Sequence, residues 1–597
     1  MTLAEQGAVR LAIDTSTLMA GRGMTSALRR IPLENWDPWK AGLLVLVVLT
    51  SFIIGGNLLF IFWSSVLDGS VGDLSQSYSL NSYAETFTDP FVARVFLNST
   101  LFAAVTLVVA FIFGIPIAWI ATRTELAGKS LLFTLMTVAL LIPGFVPAIG
   151  WTFLLHPNIG LINAVLESLF GSWAVLSISN VVGMGWVQGL SLAPLAFIMT
   201  ASAFRAMDPA LEEAAAMSGA NPLWTFVIIT LRLAWPALLA ASIFIFTIGF
   251  AAVDAPVIIG WGKRIFTYST YILTLINPNS GPPRYGAAAA VSTPLVVWGL
   301  VMCWLYNDMQ KRARRYQVIS GKGYRPALVS LGSRRWMATT FITVFFMLNA
   351  VLPVVVLLWA AFLPFLQLPS SATIATMSFD NFTGIDWTNV LGGLKNTVIL
   401  MITVATIATV LSFAFSWIVL RSDIRGRGLF DVFAFLPHVV PTTLFSISTL
   451  LIALFVIGPV VPIYGTLWIL IIASVIVRIS YGSRMTNSAM IQIHRELDEA
   501  AQMSGASTGV LIFRIMLPLM APALLFSWLW TALLTCRDLT VVMFLTTPSN
   551  LTMPYIIWSN FAFGAPGAAA VLSLLMLAVT LPLIFIYAKA LDRWNLI

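Results

Sequence analysis

Charge is what this chain has least of. Only 9% of its 597 residues are Asp, Glu, Lys or Arg, against roughly a quarter in soluble domains. With 59% hydrophobic residues, a soluble globular fold is excluded. Cysteine is scarce too: Cys303 and Cys536 fall inside or at the end of apolar runs. That excludes a disulfide framework and reads as two small core residues. The three histidines, His156, His438 and His494, lack a metal-ligand spacing. Only His438 lies in an apolar run, where a histidine packed at a helix kink accounts for it without a ligand role. Phosphate-binding G-x-x-x-x-G-K-[ST] is missing; the nearest fragment, LAGKS at 126–130, has Arg123 where the first glycine belongs. No nucleophile stands beside a base, so neither ATP hydrolysis nor other chemistry is expected of this chain.

Long apolar runs are what it has most of. A bilayer core takes about 20 mostly apolar residues per helix. Runs of that length lie at 42–66, 97–122, 132–155, 174–200, 229–260 and 286–306. A second set lies at 338–364, 396–420, 429–457, 462–480, 515–547 and 568–588. The expectation is an all-α membrane protein of about twelve spans, with 229–260 and 515–547 broken or steeply tilted by internal proline. The net charge of +8 is concentrated in an N-terminal tail (Arg22, Arg29, Arg30, Lys40) and a central segment from Lys311 to Arg335. Residues 67–92 hold Asp68, Asp73, Glu85 and Asp89 and no basic residue. By the positive-inside rule both termini and the central segment are cytoplasmic, and 67–92 is external. The basic excess thus reports topology and not a nucleic-acid partner. The first run is long and follows a tail of about 40 residues, unlike a cleavable signal.

The second feature is duplication. Residues 213–236 read EAAAMSGANPLWTFVIITLRLAWP and 499–522 read EAAQMSGASTGVLIFRIMLPLMAP. Glu213 and Glu499, Gly219 and Gly505, Leu231 and Leu517, and Pro236 and Pro522 are each 286 positions apart. Each half also carries a long apolar helix (LNSTLFAAV, LKNTVILMI) ending in a short basic turn, with Arg123 and Arg421 matched. PGFVP (143–147) and PHVVP (437–441) follow, each a proline pair that kinks a helix. Repeats in the same direction, six spans each, imply two parallel halves related by an axis along the membrane normal. The chain divides into a tail (1–40), a first membrane domain (41–308), a basic linker (309–337) and a second membrane domain (338–597).

The Glu-Ala-Ala segments resemble the EAA loop of ABC importer permeases. The order of segments and the linker ISGKGYRPALVSLG (319–332) are similar to fused two-domain permeases of the ferric-iron type. The resemblance implies the type I importer permease fold in a bacterial inner membrane. It also implies two copies of a cytoplasmic ATPase that carry ATP and magnesium, and an extracytoplasmic solute-binding protein. This chain would hold no cofactor of its own. Glu213, Ala214, Ala215, Gly219, Glu499, Ala500, Ala501 and Gly505 would form two short helices that rest in clefts of the ATPase. Alanine favours such a helix and permits close approach, and each glycine permits the turn that follows. Asp208-Pro209 is a plausible cap of the first. The first copy departs from the family at Leu231-Arg232, where the second keeps Leu517-Pro518. Arg232 either snorkels to headgroups or marks unequal docking of the halves. Ferric iron is the first substrate implied, ahead of polyamine, thiamine or phosphonate.

Ionisable residues within spans are costly and mark functional candidates. Asp254 and Asp538 sit in the fifth span of each half, and Arg537 is placed to neutralise its neighbour Asp538. Asp254, Asp538, Arg537 and His438 are the candidate path residues. The alternative is that the carboxylates are structural, hydrogen-bonded to neighbouring helices. A secondary transporter of twelve helices also fits the span count. It gives no reason for two EAA segments and would need titratable pairs for ion coupling. A structural scaffold would not need the duplication.

Overall fold

The computed structural model describes residues 37–67, 77–207, 210–278, 281–315 and 328–593. The tail arginines, Asp68, Asp73, the Asp208-Pro209 cap, and Lys322 and Arg325 of the linker lie outside them. Among the described residues there is no β-strand, only two isolated bridges. Within the described residues ten helices are long and apolar enough to cross a membrane, or up to twelve when each of two bent pairs is taken as one span.

The helices of the first half include α1 (Pro38–Ser65), α2 (Pro90–Arg123), the bent pair α3 (Lys129–Leu141) and α4 (Phe145–Leu154), α5 (Val181–Ala206), the short α6 (Ala210–Met217), which is no span, α7 (Leu231–Ala251) and α8 (Tyr285–Arg315). In the second they are α9 (Leu352–Ala361, closing the span Gly332–Ala361), α10 (Trp387–Arg421), the bent pair α11 (Arg427–Val439) and α12 (Thr442–Ile452), α13 (Leu467–Ile491), the short α14 (Arg495–Met503), α15 (Leu517–Cys536) and α16 (Pro566–Arg593).

Local chemistry sets the ends. Asp37 and Asp89 cap α1 and α2 by accepting from Trp39 and Phe91 N–H, each followed by proline at the first helical position. There the missing N–H costs nothing and the fixed φ suits the helix. The runs at 132–155 and 429–457, expected as kinked spans, are instead broken by 88° and 101°. Ile142 and Val440 precede Pro143 and Pro441 and are extended, with ψ 132° and 130°. Proline's ring bars the helical conformation from the residue before it, so both helices end there.

Without a hydrophobic drive between helices in lipid, close packing must hold the bundle. The α2–α5 contact is the most extensive. It depends on Gly114, where a Cβ would stand 2.6 Å from Ala196 Cβ and 2.9 Å from the Ala193 carbonyl oxygen. The halves interlock: α1 lies along α10, α11 and α12 as well as α8, and α9 lies against α4. One continuous core, including Phe102, Phe145, Phe197, Phe415 and Phe445, runs through both halves.

Candidate functional site

Two regions collect the candidate residues. The first is the pair α6 and α14. Each helix ends the same way: Gly219 and Gly505 both have φ +78°. Ala220 N–H reaches Ala215 O and Ala506 N–H reaches Ala501 O, both at 3.0 Å. Gly219 and Gly505 N–H close the inner bonds to Ala216 and Gln502. This is the Schellman ending, which demands a left-handed residue and therefore glycine. A Cβ at either glycine would touch nothing, so backbone conformation alone requires it. Leu211 and Leu497 are exposed, and Met217 and Met503 are 90% and 89% exposed. Each helix therefore exposes two apolar side chains, at positions again 286 apart. Ala214, Ala500 and Glu499 are exposed, Glu213 and Ala215 half-buried, and Ala501 buried.

The acidic residue one place earlier faces inward instead, a role that sequence reasoning missed. Glu212 pairs with Arg123 (Nε–Oε2 3.0 Å) and accepts from the Thr230 hydroxyl at 2.7 Å. Asp498 pairs with Arg421 (Nη1–Oδ2 2.9 Å). Burial raises the Asp498 pKa above the usual carboxylate value, with Arg421 opposing the shift. Two chain segments brace this region. Thr508 N–H donates to Asp37 Oδ2 at 2.9 Å, and Trp39 meets the Phe513 ring edge-on at 4.9 Å. Val329 N–H donates to Arg123 O at 2.8 Å, and Glu125 N–H to Val329 O at 3.2 Å. Each brace is the lead-in to one half seated on the other half or at the end of its long helix. Arg232 is exposed in the first turn of α7.

The second region is a cavity of about 250 Å³ that all four candidate path residues line: Asp254, Asp538, Arg537 and His438. Its wall is built from positions 286 apart in the two halves. Leu192 and Arg478, Leu195 and Tyr481, Phe244 and Trp530, Ala251 and Arg537, Ala252 and Asp538, and Asp254 and Thr540 all face it. Asp254 and Asp538 are not within the long helices, as expected, but just past them, where α7 and α15 have ended at Ala251 and Cys536. Backbone irregularity at membrane depth is tolerated where it lines a cavity.

Arg537 does not neutralise Asp538. Asp538 is paired with Arg478 of α13, which also donates to Leu534 O at 3.0 Å. Arg537 reaches across the halves to the carbonyls of Leu140 and Ile142, the latter at 3.0 Å. Those carbonyls are freed where α3 breaks at Pro143, so the guanidinium satisfies what proline disrupts. His438 is packed between rings: Phe244 of the first half stacks on it at 4.9 Å, and Tyr481 stands edge-on at 5.0 Å. Its counterpart in the first proline pair is Gly144, where a Cβ would lie 2.7 Å from Asp254 Oδ2. Arg478 was legible in principle: it is the single charge between Leu467 and Ser483.

The architecture is that of a multi-pass membrane protein, an all-helical bundle with a charged cavity lined by both halves and two short exposed helices at matched positions. Residues 420–595 match the family described as binding-protein-dependent transport system inner membrane component. The chain is similar to the ferric transport system permease protein FbpB of Actinobacillus pleuropneumoniae, 24% identical over 96% of this chain and 81% of that protein. It is likewise similar to the putative ferric transport system permease protein FbpB 1 of Haemophilus influenzae, 25% identical over 88% of this chain and 80% of the relative. The molybdate/tungstate permease protein WtpB of Pyrococcus abyssi matches 38% of this chain at 27% identity, covering 85% of its own length. Over residues 420–595 the chain thus resembles that inner-membrane component, and over most of its length it is similar to permeases named for ferric transport. Permeases of that family work in general with a binding protein and an ATPase.

Proposed function

We propose that this chain forms the whole translocation path of such an importer, as two parallel six-span halves around the 250 Å³ cavity. The observation that carries this reading is the wall of that cavity, built from residue pairs 286 apart on elements of both halves. A duplicated chain that encloses one cavity at equivalent positions needs no second membrane subunit. α6 and α14 are the docking helices for two ATPase copies on the cytoplasmic side. Leu211, Met217, Leu497 and Met503 enter the partner's clefts, and the exposed Glu499 is offered to its basic groups. Closure of the ATPase pair moves these helices, and the cavity passes from inward-facing to outward-facing and back. A solute-binding protein delivers on the opposite face.

Ferric iron is the substrate we favour. Support comes from similarity over most of the chain to permeases named for ferric transport, whereas the molybdate/tungstate match spans little more than a third. A carboxylate, Asp254, on the cavity wall suits a cationic cargo. The test is gentle solubilisation from native membranes and identification of what is retained, then uptake of radiolabelled ferric iron into vesicles holding the complex. Retention of an ATPase and ATP-dependent uptake are expected. Isolation of the chain alone, with uptake persisting without ATP under an ion gradient, would return the reading to a secondary transporter.

A further inference from the structure

The matched arginines at the ends of the long helices have no part in the function described so far. Arg123 is the last residue of α2 and Arg421 the last of α10. Their side chains are only 4% and 5% exposed. Each serves two elements at once. Arg123 holds Glu212 in the first turn of α6 and donates to Met207 O, the carbonyl just past the end of α5, at 3.3 Å. Arg421 holds Asp498 in the first turn of α14 and donates to Met490 O at 3.0 Å and Ile493 O at 2.6 Å, around the end of α13. The same three-way junction is thus built twice, from different acidic residues and with different spacing of arginine to acid.

Physical reasoning gives the junction a use. A guanidinium is a planar fork that can bind a carboxylate with one edge and carbonyls with another. Buried ion pairs contribute little net stability but are costly to half-break. Such a junction is stiff: the short helix cannot shift without dragging the arginine, and with it the end of a 34- or 35-residue helix. Glu499 is exposed on α14, while Glu212 and Asp498 point back to the bundle. The two acidic neighbours therefore divide the work between outside and inside.

We infer that Arg123–Glu212 and Arg421–Asp498 are the positioning pairs that carry displacement of the two docking helices into α2 and α10. The inference rests on the proposed docking role of α6 and α14. Two measurements separate the two claims. Amide hydrogen exchange on the full chain in nanodiscs reads the fastening without any ATPase. Arg421→Met speeds exchange in 495–503 on the order of tenfold, and leaves 210–217 unchanged, since the pairs are independent. Arg123→Met does the reverse. Asp498→Glu retains wild-type protection, because the first half already uses glutamate in this place.

In the complex with the co-purified ATPase, Arg421→Met and Arg123→Met keep the ATPase bound but raise the ATP hydrolysed per solute imported severalfold, whereas Asp498→Glu does not. A purely structural role would lower yield and leave that ratio alone. Unchanged exchange in both methionine variants, or an unchanged ratio in both, overturns the inference. Wild-type chain that retains no ATPase while the exchange results hold would overturn the docking reading and leave the fastening standing.

Discussion

Replacing Arg478 with Met tests the buried charge arrangement most directly. In the folded chain Arg478 and Asp538 are a pair with side chains only 10% and 8% exposed. Removing the guanidinium leaves Asp538 with one remaining bond, from Val541 N–H at 3.2 Å, and leaves Leu534 O without its donor. Loss of one partner of a buried pair costs about 3–5 kcal/mol, most of it the penalty of stranding the other charge. Adding Asp538→Asn removes that stranded charge, so the double variant should recover about 2 kcal/mol or more relative to additive losses. The assay is chemical unfolding of the purified chain in mixed micelles, followed by tryptophan fluorescence, for the wild type, both single variants and the double. Arg537→Met supplies an internal control. Arg537 is adjacent in sequence but bonded to Leu140 and Ile142 carbonyls, so its cycle with Asp538→Asn should show much weaker coupling. Additive losses for Arg478 with Asp538, or stronger coupling for Arg537, would refute the assignment of partners.

Three further outcomes are expected. Gly505→Ala and Gly219→Ala should each cost about 1–2 kcal/mol of local stability from the left-handed backbone alone, read as faster amide exchange at the end of α14 or α6. No steric clash adds to this, since a Cβ there meets nothing. Gly114→Ala acts by the opposite cause, collision of α2 with α5 backbone, and should cost about 1–3 kcal/mol in the same micelle unfolding assay. For Asp37, the hydrogen bond from Thr508 holds the pKa below its ordinary 3.8. The folded value is thus below the unfolded one, so its stabilisation is full above 3.8 and is lost as pH falls through the lowered value. The protection of residues 508–511 in wild type should exceed that in Asp37→Asn at neutral pH, and the two should converge only once pH has fallen through the lowered Asp37 value.

What the sequence disclosed, and what it hid, divides by the range of the interaction. Span positions, the two short helices α6 and α14 and the turn glycines are local: they follow from apolar runs, alanine and a backbone that must go left-handed. The proline pairs were visible as kinks, but the right-angle breaks were not, because the angle depends on what receives the freed carbonyls. For the first break that receiver is Arg537, some 400 residues further on. The same reason explains the misassigned partner of Asp538. Adjacency in sequence placed Arg537 beside it, whereas the fold brings Arg478 from a different helix and turns Arg537 away. Likewise Glu213 and Glu499 drew notice by their motif, while Glu212 and Asp498 acquire meaning only from arginines about 80 residues earlier.

The two ends of the duplication have diverged unequally, and that pattern bears on how the permease works. Around α6 and α14 the halves keep equivalent chemistry: left-handed glycine, exposed leucine and methionine, inward carboxylate, buried arginine. Around the cavity they do not. Where the second half has Arg478, Tyr481, Arg537 and Asp538, the first has Leu192, Leu195, Ala251 and Ala252, and the first half's own carboxylate, Asp254, is opposed by Thr540. Under the proposed reading this is what the two tasks demand. Two identical ATPase copies must meet two equivalent docking helices, so change there is constrained in both halves together. A single cavity carries one solute, and charges doubled by symmetry would set like against like, a repulsion that low-dielectric surroundings make severe. Fusion of the halves into one chain allows each to change its wall separately. Restoring symmetry at the cavity, by Leu192→Arg with Ala252→Asp, should therefore impair folding or transport while leaving ATPase retention intact. Normal transport in that variant would show that the asymmetry of the wall has no function.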